Sequence, residues 1–210
     1  MTVTNRRQAL LAIGGGAVGF AAGAAWSPRA NATATSSAFS GGADEPTEAD
    51  IGFCRDMTAH HVQAVVMCER VLGRDTGDAV QAAATEVLRN QAIEIGTMRA
   101  WLADWGESTA SPEIAMAWMG MNDGAGMPLA MMPGLASEDE LRALSLTTGL
   151  AQGRQWLELM RAHHVGGVAM AEAAVDLTAL DKVRRLAGIQ AEVQTFEISQ
   201  YDLLLATAYA

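Results

Sequence analysis

"RDMTAHHVQAVVM" (residues 55–67) and "ELMRAHHVGGVAM" (residues 158–170) decide how this chain is read. The 210-residue protein has four histidines, and all of them lie in these two segments, as His60-His61 and His163-His164. The second segment repeats the first at a fixed offset of 103 residues. Met57, Val62, Val65, Met67 and Glu69 recur as Met160, Val165, Val168, Met170 and Glu172. Further along, Gln91, Glu94, Ile95 and Leu102 recur at the same offset as Gln194, Glu197, Ile198 and Leu205. Self-similarity at one offset marks a duplicated unit. Each unit carries Met-x-x-His-His on one helix and Gln-x-x-Glu-Ile on the next.

The units are helical on composition and spacing. Alanine, leucine, glutamate and methionine are common, whereas aromatic residues and proline are few, which favours helix over strand. Val80, Ala84, Val87, Leu88, Ile95, Met98 and Leu102 fall at helical spacing. Thr47 with Asp50, and Ser137 with Glu140, form capping boxes that open the two halves. "LGRDTGD" ends the first helix near Leu72, and the second spans about 78–104. A short helix from Glu138 breaks near Gly149, and long helices follow over about 149–177 and 180–208. Residues 106–134 are too many for a tight turn. A crossover of that length lets the second and third long helices run parallel. The expectation is an all-α, ferritin-like four-helix bundle over residues 47–208, built from two repeated helical hairpins.

The net charge of -10 and the lack of a basic stripe argue against nucleic-acid binding. Residues 1–34 read as an export signal: Arg6-Arg7, an apolar Gly/Ala-rich stretch, then small residues in "ANATA". The paired arginines suggest the twin-arginine route, with cleavage after Ala32 or Ala34 and a linker over 35–46. The exported product would keep no stable membrane span. An uncleaved membrane anchor is the alternative, but four glycines between residues 14 and 19 make a poor spanning helix. Cys54 and Cys68 share one helix, so they stand roughly 21 Å apart. A disulfide between them is excluded, and both read as small buried hydrophobes.

Helices of similar length packed nearly in line bring their midpoints to one level. His60, His61, Gln91, Glu94, His163, His164, Gln194 and Glu197 then share one central layer. His60 and His163 lie on the apolar stripes of their helices, with His61 and His164 at the stripe edges. Gly166-Gly167, in place of Gln63-Ala64, would let a neighbouring helix approach closely. Two readings of the layer stand side by side. In one, neutral imidazoles hydrogen-bond to the glutamates and glutamines in a metal-free structural or interaction bundle. In the other, His60, His61, His163 and His164 bind copper with Met57 and Met160 as soft ligands. Glu94, Glu197, Gln91 and Gln194 then orient the imidazoles from outside. Met116, Met119, Met121, Met127, Met131 and Met132 place half of the chain's 12 methionines in the crossover. They are either a flexible lid or a secondary copper site. No Glu-x-x-His stands at either histidine pair, so a ferritin-like dinuclear oxidase is disfavoured. No catalytic set is identified, and binding is favoured over catalysis.

"DIGFCRDMTAHHVQAVVM" (50–67), "NQAIEIGTMRAWL" (90–102), the methionine-rich crossover and "ELMRAHHVGGVAMAEAA" (158–174) resemble the exported members of the domain of unknown function 305 family. The resemblance covers roughly residues 49–205. It implies a ferritin-like four-helix bundle, export and, in some members, copper binding or copper tolerance. Asp56 matches an acidic position of that pattern. The second half departs from it: Leu159 takes the place equivalent to Asp56, and Gly153 stands where a Phe-Asp pair is usual. A role needing two symmetric aspartates does not carry over.

Overall fold

The computed structural model describes residues 45–210. The expected export signal and almost all of the expected linker lie outside the described residues. Four long helices, α1 (Glu48–Glu69), α2 (Asp78–Asp104), α4 (Gly149–Leu177) and α5 (Asp181–Ala206), are joined by a crossover and the short α3 (Glu138–Leu146). Both capping boxes form as expected, at Thr47/Asp50 and Ser137/Glu140. Among the described residues, no helix is long and apolar enough to cross a membrane.

Helix directions follow from two polar ties. Asp50, in the first turn of α1, accepts the Leu180 and Ala179 N–H groups at 3.0 and 3.3 Å, just past the end of α4. At the other end of α1, the Gln152 amide from the first turn of α4 donates to the Arg70 carbonyl at 3.1 Å. So α1 and α4 pack antiparallel, and each forms a hairpin with the helix that follows it. It follows that α2 and α4 run parallel, which is the expected ferritin-like arrangement. Burial alone would raise the Asp50 pKa, but the Thr47 hydroxyl and the N–H groups of Thr47, Leu180 and Ala179 hold it below the usual value.

Apolar side chains divide into two clusters. Phe53, Cys54, Met57, Met98, Leu102 and Met170 belong to one. Ala64, Met67, Val87, Trp156, Met160 and Tyr201 belong to the other. Each fully buried large apolar side chain contributes about 1.5–3 kcal/mol. Along α1 the chain leaves the first cluster, passes the histidines and enters the second, while α4 does the reverse. The histidine layer therefore lies between two apolar ends. Cys54 and Cys68 are free, buried and in different clusters.

The crossover is more ordered than its glycines and prolines suggest. It pairs β1 (Ile114–Ala115) with β2 (Met127–Pro128) in an antiparallel ladder and adds two short 3-10 turns. Asp56 holds its start: one carboxylate oxygen accepts the Met116 N–H at 2.6 Å and the Trp118 indole N–H at 2.9 Å. Met116 is thereby kept at φ 63, an uncommon conformation for a side-chain-bearing residue. Burial raises the Asp56 pKa, and those two donors and Arg55 offset only part of the effect. Met116 and Met132 are buried, and Met119, Met121 and Met127 pack against the same cluster. Only Met131 of the six is largely exposed. The flexible tract expected from the sequence is, for five of its methionines, a packed cover over one end of the bundle.

The close approach expected at Gly166-Gly167 is real, but no helix backbone makes it. A Cβ on Gly166 would overlap the Pro133 carbonyl oxygen, and one on Gly167 would overlap the Gln194 side-chain amide. The end of the crossover fills the first space and a core glutamine fills the second.

Candidate metal centre

The duplication places His60 and His163 face to face at mid-bundle. Their ring centroids are 3.7 Å apart with 30° between planes. His163 Nε2–H donates to the His60 backbone carbonyl at 2.9 Å. A carbonyl only accepts, so in neutral His163 the lone pair lies on Nδ1. Burial first, then the neighbouring imidazoles, hold both rings well below the ordinary histidine pKa. For His60 those neighbours are His61 and His164. The Pro133 carbonyl, outside hydrogen-bond geometry with either ring nitrogen, offsets part of this.

His61 and His164 were expected at the stripe edge, yet all four histidines have no exposed surface. The reason is geometric. A step of about 100° turns the side chain from the opposite hairpin toward the helix partner of its own hairpin. His61 Nε2 meets Glu94 Oε2 at 2.7 Å, and His164 Nε2 meets Glu197 Oε2 at 2.6 Å. Each glutamate thus accepts from the second imidazole of its own hairpin. Each leaves a histidine Nδ1 free, the carboxylate–imidazole arrangement that prepares a ring for metal. Five of the eight imidazole nitrogens are buried without a partner: both on His60, and Nδ1 on His61, His163 and His164. Buried unpaired nitrogens are costly, and a neutral imidazole is the ligating form. On donor chemistry, the layer fits a metal.

The geometry also limits that reading. Among the described residues, no group of three or more histidine, cysteine, aspartate or glutamate side chains is arranged to hold a metal ion. Stacked rings direct their in-plane lone pairs side by side, so a shared ion requires one ring to rotate. Nor do Met57 and Met160 share one side of the layer. They belong to different clusters because α1 and α4 are antiparallel. Burial pushes the Cys54 and Cys68 thiols up to about 12, which makes them poor thiolate donors.

Gln91 and Gln194 are buried in the layer as expected, each with an unpartnered side-chain oxygen. Gln190 was missed. Its amide donates to Glu94 Oε2 at 3.1 Å and lies 3.4 Å from His61 Nε2. The signal was its position one turn ahead of Gln194 on the same helix face, which the duplication hid because Val87 is its counterpart. Tyr201 was also missed. Its ring lies 5.4 Å from His164 and 5.7 Å from Trp156, and burial, with Glu197 nearby, raises its pKa.

Residues 50–205 match the family model described as Domain of unknown function (DUF305). The chain belongs to the DUF305 family. It is similar in structure to a Streptomyces coelicolor DUF305 protein thought to be secreted, with 37% identity, TM-score 0.69, and coverage of 75% of this chain and 92% of that one. A DUF305 fragment from Deinococcus radiodurans is 30% identical at TM-score 0.64, covering 77% and 98%. CopM in its Cu(II)-bound form is 27% identical at TM-score 0.59, covering 76% and 97%. Among curated proteins, none matches this DUF305 chain.

Proposed function

We propose that this DUF305 protein is an exported copper-binding protein that buffers or carries the ion in its histidine layer. The observation that carries this is the set of five unpartnered imidazole nitrogens in a buried layer whose outer rings are already oriented by Glu94 and Glu197. His60, His61, His163 and His164 are the nitrogen donors. Met57 approaches from one side of the layer and Met160 from the other, and imidazole beside thioether favours copper. The similarity to CopM, crystallised with Cu(II), and to a protein thought to be secreted supports the same reading. The crossover methionines offer a second, softer site. Residues 1–34 are assigned to export.

The hydrogen bonds already present favour one competing reading. The His163–His60 carbonyl bond and the two His–Glu pairs tie all four helices at one level, as a metal-free bundle would need for register. The test compares copper stoichiometry, by equilibrium dialysis, for wild type, His60→Ala/His163→Ala, and a variant with the six crossover methionines changed to leucine. Loss of an ion from the folded histidine variant supports the layer. Loss only from the crossover variant places copper in the lid, and an unchanged stoichiometry in both leaves the layer structural.

A further inference from the structure

None of the four histidines reaches solvent. Glu94 and Glu197 are the only members of the two His–Glu pairs that reach solvent, with side chains 17% and 15% exposed. They do so in a cleft where α2 and α5 face each other. Unlike α1 and α4, which pack directly, these helices are separated by polar side chains. Gln91, Gln190 and Gln194 line the cleft, each at least nine-tenths buried and each with an unpartnered side-chain oxygen. The cleft encloses about 10 Å³, close to the space that one water or bare ion requires. Outside its mouth lies an open groove of about 430 Å³ that adds Glu86 and Glu192 to Glu197, against Arg89 alone. With Glu94, four carboxylates face one guanidinium.

The geometry points to this cleft as the route by which a metal cation reaches and leaves the histidine layer, with a transit site made of Glu94, Glu197 and the three glutamine oxygens. The inference rests on the copper reading of the layer. A surplus of carboxylates raises the local cation concentration at the mouth. The glutamine oxygens replace water ligands as the ion loses its hydration. Rotation of Glu94 or Glu197 away from its imidazole then opens the way past the ring toward the unpartnered Nδ1 atoms of the layer. A purely structural polar layer needs no unpartnered oxygens on three glutamines of one cleft; each such oxygen costs stability if nothing ever visits it.

The test separates access from affinity. Val193 and Asn90 line the cleft from α5 and α2 and are both exposed at its mouth, so Val193→Trp or Asn90→Trp obstructs it without entering the core. Val66→Trp, in the groove beside α3, is the control. Stopped-flow transfer of copper between each full-length protein and a chromogenic chelator reads uptake and release, and dialysis reads stoichiometry. Expected are wild-type stoichiometry for all three, uptake and release slowed together by about tenfold or more in both cleft variants, and no change for Val66→Trp. Glu86→Gln/Glu192→Gln slows uptake about tenfold at low salt, within the range that electrostatic focusing supplies. Cleft variants that load at the wild-type rate overturn the route while leaving the copper reading intact. A wild-type protein that takes up no copper overturns both.

Discussion

Lowering the pH should unfold this protein through two particular residues. His60 and His163 have no exposed surface, stack at 3.7 Å and are held well below the ordinary histidine pKa of 6.5. In the unfolded chain each titrates near that ordinary value. Below it the unfolded state binds more protons than the folded state, so stability falls with pH until the folded pKa is passed. Each group contributes a slope approaching about 1.4 kcal/mol per pH unit, so the pair approaches about 2.7 kcal/mol per unit. Between pH 6.5 and about 5 this removes several kcal/mol from a total of the order of 5–15 kcal/mol. Asp50 and Asp56 shift in opposite directions around 3.8, so working above about pH 5 limits their part. The assay is urea unfolding followed by far-ultraviolet circular dichroism across that window. His60→Gln/His163→Gln should flatten the slope, because the amide does not titrate. A wild-type slope that is flat, or equal to that of the variant, would refute the buried neutral pair.

Three further outcomes follow from named contacts. Glu94→Ala removes the acceptor at His61 and should weaken copper binding about 10- to 100-fold, whereas Glu94→Gln, which keeps an acceptor oxygen, should lose less; chelator competition measures both. Gly166→Ala places a methyl against the Pro133 carbonyl and should cost about 1–3 kcal/mol in thermal or urea unfolding, while Gly96→Ala, which meets open space, should cost nothing. Asp56→Ala strands the Met116 N–H and the Trp118 indole and should cost about 1–3 kcal/mol for each, read as faster limited proteolysis within residues 106–134 and a changed near-ultraviolet tryptophan signal.

Much of the fold was legible because duplication, capping and helical spacing all point one way. The doubled "AHHV" and its Gln-x-x-Glu partners fixed four long helices and one polar level. The direction of the repeat was legible too, because two hairpins with parallel second and third helices leave the first and third antiparallel. Its consequence was not drawn: antiparallel α1 and α4 place Met57 and Met160 on opposite sides of the layer. The full burial of His61 and His164 was missed for a related reason: one apolar stripe per helix cannot show that adjacent residues face two different neighbouring helices. Asp50, Asp56 and Gln190 act through partners 60 to 130 residues away, and single-sequence periodicity carries no trace of such pairings. Asp56 in particular secures Met116 and Trp118, which explains why its position gains nothing from symmetry: the crossover has only one beginning to hold.

Copper K-edge X-ray absorption on the copper-loaded full-length protein tests the central claim most directly. The account requires imidazole nitrogen scattering from the bound ion, with its outer-shell multiple-scattering pattern, and the loss of that pattern in His60→Ala/His163→Ala. A spectrum of sulfur scatterers alone, unchanged by the histidine substitutions and abolished by replacing the crossover methionines, would contradict it.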